Sequence, residues 1–294
     1  MLYQLFAVMA PVLSGVLIGY LWAKRQAVDT AAMGKLVINI ATPCLILSAL
    51  NKTQLDGRQL LDIGLAAVLV MLLSGLLAWW LAARLKVERR IYVPGVVYSN
   101  NGNIGLPICF FAFGDAGLAL AVVYFVVVAL SHFSLGLMLF SGRFQLAPLL
   151  RSPIAWSALI AISSQLLSIS WPLWLESSLS FMGAVANPLM LVMLGVSLAG
   201  LQLSGLRVPM LFALLRVVGG SLLGWLVAWL LGLSGLAMAV VILQASTASA
   251  AINYLLAKTY VGQEEQMAAL VFGSTLLCLP FIALILPLLM ALAA

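Results

Sequence analysis

Charge is what this 294-residue sequence has least of: 7% of its residues are charged and 65% are hydrophobic, with a mean hydropathy of +1.20. Soluble domains carry roughly 25% charged residues. A soluble enzyme, a secreted disulfide domain, a nucleic-acid binder and a disordered scaffold are therefore disfavoured together. Acids are scarcer than bases, eight against fourteen, and Asp62, Asp115, Glu176, Glu264 and Glu265 all fall near the ends of apolar stretches. Histidine occurs once, at His132. The three cysteines, Cys44, Cys109 and Cys278, lie inside apolar runs without metal-ligand spacing. They read as small core hydrophobes, so no disulfide framework, metal site or cofactor is expected. Long loops are missing too, which leaves no room for a receptor's soluble output domain. No paired aspartate, Ser-His dyad or zinc motif suggests a membrane-embedded enzyme, so enzyme and receptor are the least favoured classes.

What is present is apolar length. A membrane-spanning helix takes about 20 mostly apolar residues. Ten such stretches are legible, at roughly 4–23, 31–50, 59–83, 91–113, 117–140, 153–170, 174–200, 208–231, 236–260 and 265–292. The first has no positive segment ahead of it, so it is not expected to be a cleaved signal peptide. Lys24 and Arg25 follow it, which places the N-terminus outside. With that orientation eleven basic residues (Lys24, Arg25, Lys35, Arg84, Lys86, Arg89, Arg90, Arg143, Arg151, Arg207 and Lys258) border the cytoplasm. Only Lys52 and Arg58 border the other side, a strong positive-inside bias. Ten spans then put the C-terminus outside as well.

The spans repeat. With an offset of about 145 residues, Thr42-Pro43 in span 2 falls opposite Asn187-Pro188 in span 7. Phe113-Gly114-Asp115 falls opposite Tyr260-Val261-Gly262, and the Ser/Asn-rich part of span 4 opposite the Ser/Thr-rich part of span 9. Because each half has an odd number of spans, residues 1–147 and 148–294 enter the membrane from opposite sides. Inverted repeats of this kind are the plan of many secondary transporters. The expected fold is thus an all-α polytopic membrane protein of two inverted five-helix repeats, with helices 4 and 9 broken.

Span 4 carries the strongest local signal, Ser99-Asn100-Asn101-Gly102-Asn103-Ile104-Gly105-Leu106-Pro107. Pro107 lacks an N–H and clashes with the carbonyl four residues earlier. Irregular backbone at membrane depth persists only when buried in protein or lining a wet cavity. The second half-helix would offer its N-terminal end to an anion around Leu106-Pro107. Span 9 places Gln244, Ser246, Thr247, Ser249 and Asn253 among alanines, without proline or glycine. The competing reading of both segments is a polar packing seam, which is also the simpler reading of Gly15-x-x-x-Gly19 and Gly220-x-x-x-Gly224.

Arg216 lies about nine residues, or roughly 13 Å, into span 8 with no acid at comparable depth. Either an anionic substrate supplies its counter-ion, or the side chain snorkels to the cytoplasmic headgroups. His132 in span 5 is a possible proton relay, or the donor of a structural hydrogen bond.

At these residues the chain resembles the auxin efflux carrier family, the bacterial relatives of the plant PIN transporters. The resemblance rests on Ala41-Thr42-Pro43, Asn100 through Pro107, Asn187-Pro188 with Leu194-Gly195-Val196-Ser197-Leu198, and Tyr254 through Tyr260. It implies the fold shared with bile-acid symporters and some sodium/proton antiporters. Spans 1, 2, 6 and 7 would form a dimerising scaffold, and spans 3–5 and 8–10 a transport domain that moves as an elevator. It further implies that spans 4 and 9 cross at their breaks, with Asn100 matching a carboxylate-contacting asparagine and Pro107 the first crossing proline. At the second crossing Asn253 stands about where plant members carry proline. The resulting expectation is a carrier of a small organic anion, a carboxylate, in the bacterial inner membrane. Asn100, Asn101, Asn103, Thr247, Ser249 and Asn253 would line the pocket and Arg216 would tune charge selectivity. The alternative is a sodium-coupled symporter of the bile-acid type, with sodium held by Asn101, Asn103 and Gln244. Proton antiport through an aspartate pair is disfavoured, because the deep acids it needs are missing.

Overall fold

The computed structural model describes residues 2–53, 55–144, 147–167, 169–200 and 207–293. Ser168, inside the sixth expected span, and residues 201–206, after the seventh, lie outside the described residues. The architecture is all-helical. The first half contains α1 (Leu2–Arg25), α2 (Thr30–Leu36), α3 (Thr42–Lys52), α4 (Gly57–Leu85), α5 (Arg89–Val97), α6 (Leu106–Ser131) and α7 (Leu137–Ser141). After the short α8 (Ala147–Leu150) come α9 (Pro153–Leu166), α10 (Leu173–Ala184), α11 (Ala186–Gly200), α12 (Arg207–Leu214) and α13 (Gly220–Leu230). The chain closes with α14 (Gly235–Ala245), α15 (Ile252–Tyr260) and α16 (Glu264–Ala293).

Among the described residues, seven helical stretches are long and apolar enough to cross a membrane, and α9 and α14 are shorter apolar helices. One of the seven, Asn101–Ser141, runs through parts of the fourth and fifth expected spans and turns between them at Gly114, where φ is 65°. A side chain rarely adopts that backbone conformation, so glycine is needed at this bend.

Local sequence sets the helix ends. Asp56 caps α4 by accepting from Gln59 N, while the Gln59 side chain returns to Asp56 N, a reciprocal capping box. Asp29 accepts from Ala31 N and Ala32 N at the start of α2. Two prolines are accommodated by wide turns. π-helical segments at Val37–Ala41 and Asn101–Gly105 immediately precede Thr42-Pro43 and Leu106-Pro107. In each, the following residue bonds five positions back, Thr42 N to Val37 O and Leu106 N to Asn101 O. The wide turn absorbs the hydrogen bond that a proline would otherwise break.

Packing separates two groups of helices. α1 lies along α11, and α3 lies against α9 and α10. The α1–α11 contact is very close: a methyl on Gly19 would overlap the carbonyl oxygen of Val192, and one on Gly195 that of Val16. Asn51 Nδ2 donates to Glu176 Oε1 at 2.6 Å, tying α3 to α10. In the second group α4 packs on α5, α6 and α13, and α16 packs on α12, α14 and α15. α6 and the Asn101–Gly105 segment make most of the contact between the groups, against α1, α3, α9 and α11.

Candidate functional site

Helix α5 stops at Val97 and helix α14 at Ala245, both in the interior. The two interruptions meet as an isolated antiparallel bridge between Ser99 and Ser249. Asn100 N donates to Ala248 O at 2.7 Å, and Ala250 N donates to Tyr98 O at 3.0 Å. Two broken helices thus satisfy each other's exposed backbone where water is absent. Span 9 carries no proline or glycine at its break; there the hydroxyls of Ser246 and Thr247 donate to local backbone carbonyls. Ser246 Oγ donates to Ile242 O at 2.6 Å and Thr247 Oγ1 to Gln244 O at 2.9 Å. Ser249 N finds Ser274 Oγ on α16 at 3.0 Å.

Asn101 is the side-chain hub. Its Nδ2 donates to Gln244 O and Gln244 Oε1, each at 2.8 Å, and reaches Thr247 Oγ1 at 3.3 Å. Its Oδ1 accepts from Ser99 Oγ at 2.6 Å. Asn253 bonds across the two interruptions: its Nδ2 donates to Tyr98 O at 3.0 Å and to Ser249 Oγ at 3.1 Å. Asn100 is buried beside this hub, and its Nδ2 has no acceptor. Asn103 is half-buried on the π-helical segment against which α11 packs. Pro107 is buried in the first turn of α6.

One expectation is corrected. The free N-terminal end of the second half-helix lies at Asn101–Asn103, not at Leu106-Pro107, because the π turn carries the helix a full turn upstream of the proline. The asparagines therefore sit at the helix start itself, beside the unpaired N–H groups.

Arg216 is 1% exposed and does not snorkel. It projects from a π-helical segment, Leu215–Gly219. Nη1 donates to Val96 O and Nη2 to Ala245 O, carbonyls at the ends of α5 and α14, while Nε has no acceptor. His132 begins another π-helical segment, His132–Gly136. Its ring stacks on Tyr98 with centroids 4.2 Å apart and planes within 7°, and it lies beside Asn253. Its Nε2 has no partner. The sequence did not point to Tyr98, Ser274 or the two end carbonyls. For Ser274 the only available signal was a hydroxyl within an apolar run.

A cavity of about 680 Å³ opens between α1, α3, α6, α10 and α11. Leu45, Ser48, Phe110, Phe111, Asn187 and Pro188 line it, with Lys52 and Asp115 at the end nearest the loops. Asn187 Oδ1 is buried without a partner.

A model of the membrane transport protein family matches the chain over residues 4–148 and again over 142–286. The chain belongs to this family. It is the family of the auxin efflux carriers, the one that the Asn100–Pro107 and Asn187-Pro188 motifs resemble. A relative described as an uncharacterized transporter, from Methanothermobacter thermautotrophicus, is 28% identical over 264 residues, covering 85% of this chain and 86% of the relative. The protein is accordingly a multi-pass membrane transporter.

Proposed function

We propose that this transporter carries a small organic anion, a carboxylate, whose charged end is bound at the crossing by Asn100 and the helix start at Asn101–Asn103. The observation that supports this most directly is the Asn100 amide, a buried donor without an acceptor at the positive end of a half-helix. An unpaired buried donor costs about 1–3 kcal/mol, and a carboxylate oxygen would relieve that cost. Among the described residues no aspartate or glutamate is buried, and the side chains proposed to face the substrate are amides and hydroxyls. Such a donor-rich set suits an anion better than a cation.

The cavity between the two helix groups supports the rest of the reading. α1–α3 and α9–α11 act as the scaffold, through which two copies pair, and α4–α7 with α12–α16 as the moving body. The two halves form the inverted repeat, ten spans in all, in a bacterial inner membrane with both termini outside. An elevator displacement of the moving body would expose Asn100 to each side in turn. Proteoliposomes loaded with candidate mono- and dicarboxylates test the site. In Asn100→Ala we expect carboxylate flux to fall about tenfold or more, as loss of a hydrogen bond to a charged group predicts, while the protein folds normally. Wild-type flux in that variant would remove Asn100 from the site.

A further inference from the structure

The ends of α5 and α14 pose an electrostatic problem that a cation must solve. The last four carbonyls of a helix lack partners within it, and each C-terminal end carries about half a negative charge. Two such ends converge here in a water-excluded core, one at Val96-Val97 and the other at Ala245. In carriers with interrupted helices, these ends and the unwound carbonyls are where a coupling sodium or proton is held. The present structure places a guanidinium there instead. Arg216 spans both ends at once, with one Nη on Val96 O and the other on Ala245 O. Glycine at 220, one turn further along, keeps the space open, because a methyl there would overlap Ala245 O and come within 2.5 Å of Arg216 Nη2. The other ionisable groups facing the guanidinium are Tyr124 and Cys278, and among the described residues no carboxylate is buried to compete for it.

We infer that Arg216 is a tethered cation standing where a coupling sodium would bind, so that this carrier works without sodium and loses that independence when the arginine is removed. The inference rests on the crossing being the transport site, as proposed above. It turns the sodium-coupled alternative into a measurable contrast, and makes Arg216 a positioning residue rather than a substrate ligand.

The test is thermal unfolding in lipid nanodiscs, followed by intrinsic tryptophan fluorescence. Sodium, guanidinium and N-methyl-glucamine chlorides are compared at equal concentrations in the tens of millimolar. Wild-type protein should melt at the same temperature in sodium as in N-methyl-glucamine. Arg216→Ala should melt several degrees lower, and guanidinium should restore at least half of that loss by entering the vacated space. Arg216→Met, which refills the space without charge, should lose stability and show no guanidinium response, and Arg216→Lys should keep most of it. A sodium-dependent rise in the wild type would overturn the inference, as would equal guanidinium effects on the alanine and methionine variants. If Arg216→Ala does not fold, the sodium comparison on the wild type and the contrast between Lys and Met variants decide. Because melting measures no flux, a wrong Asn100 assignment would appear only in the uptake assay, leaving the two failures distinguishable.

Discussion

Gly105→Ala is expected to reduce uptake below a tenth of the wild-type rate and to lower the melting temperature by roughly 10 °C. The added methyl would overlap Gln244 Oε1 and come within 2.8 Å of the amide carbon. Gln244 has no exposed surface through which to swing away. Its Oε1 and backbone carbonyl are also the acceptors that hold Asn101 Nδ2 at 2.8 Å. The clash is therefore relieved only by moving α14 away from the Asn101–Gly105 segment, which breaks the side-chain bonds between the two interrupted helices. Overpacking costs about 1–3 kcal/mol, and each lost hydrogen bond adds about 0.5–1.5 kcal/mol. A total of roughly 3–5 kcal/mol is a large fraction of ordinary protein stability. At about 2–4 °C per kcal/mol for chains of 150–250 residues, this gives the stated shift in melting. Gly200→Ala is the matched control, since nothing lies within 4 Å of a methyl there, and it should behave as wild type. Normal melting and flux in Gly105→Ala would mean that the crossing is not the rigid element described here.

Gly195→Ala should fail earlier, at folding. The methyl would collide with Val16 O and approach Tyr20 N within 2.7 Å, both of them backbone atoms of α1. Backbone in the middle of a helix cannot rotate out of the way as a side chain can. The ordinary carbon–oxygen contact is roughly 3.3 Å or more, so α1 and α11 would have to part over several turns. The reciprocal clash of Gly19 with Val192 O shows that the two helices are in near contact from both sides. Little monodisperse protein should emerge when a detergent extract of the variant is run by size-exclusion chromatography. Gly34→Ala, whose methyl would meet only Met193 Cε at 3.5 Å, should be recovered at wild-type yield. A wild-type profile for Gly195→Ala would show that this helix pair can separate without loss of the fold.

The break in α5–α6 was legible because Pro107 and three asparagines have no other reason to occupy an apolar stretch. The break after α14 was legible only as a cluster of hydroxyls, since no residue there forbids a helix. The half-helix starts about one turn ahead of the proline that marks it in the sequence. A proline marks where the α-helical ladder must yield, but a π turn lets the helix begin before it. Arg216 shows the same limit differently. Its depth was countable along the sequence, yet its partners are carbonyls of Val96 and Ala245, and a carbonyl has the same identity at every residue. The competing idea of a packing seam was right for Gly19, which meets α11 backbone, and for Gly224, whose methyl would sit 2.7 Å from Ala245 Cβ.

By itself the sequence determined that the chain lives in lipid, which stretches are apolar enough to lie there, and where two helices are interrupted. These follow from composition and spacing, because lipid is a solvent that reads each helix separately. Only the tertiary structure decided that the interruptions pair with each other, that Asn101 and Gln244 bind across them, and that one buried guanidinium closes both helix ends. Apart from the Arg216–Ala245 bond, those are contacts between residues more than a hundred positions apart, many made by backbone groups, and no local pattern of side chains encodes which carbonyl a distant donor will meet.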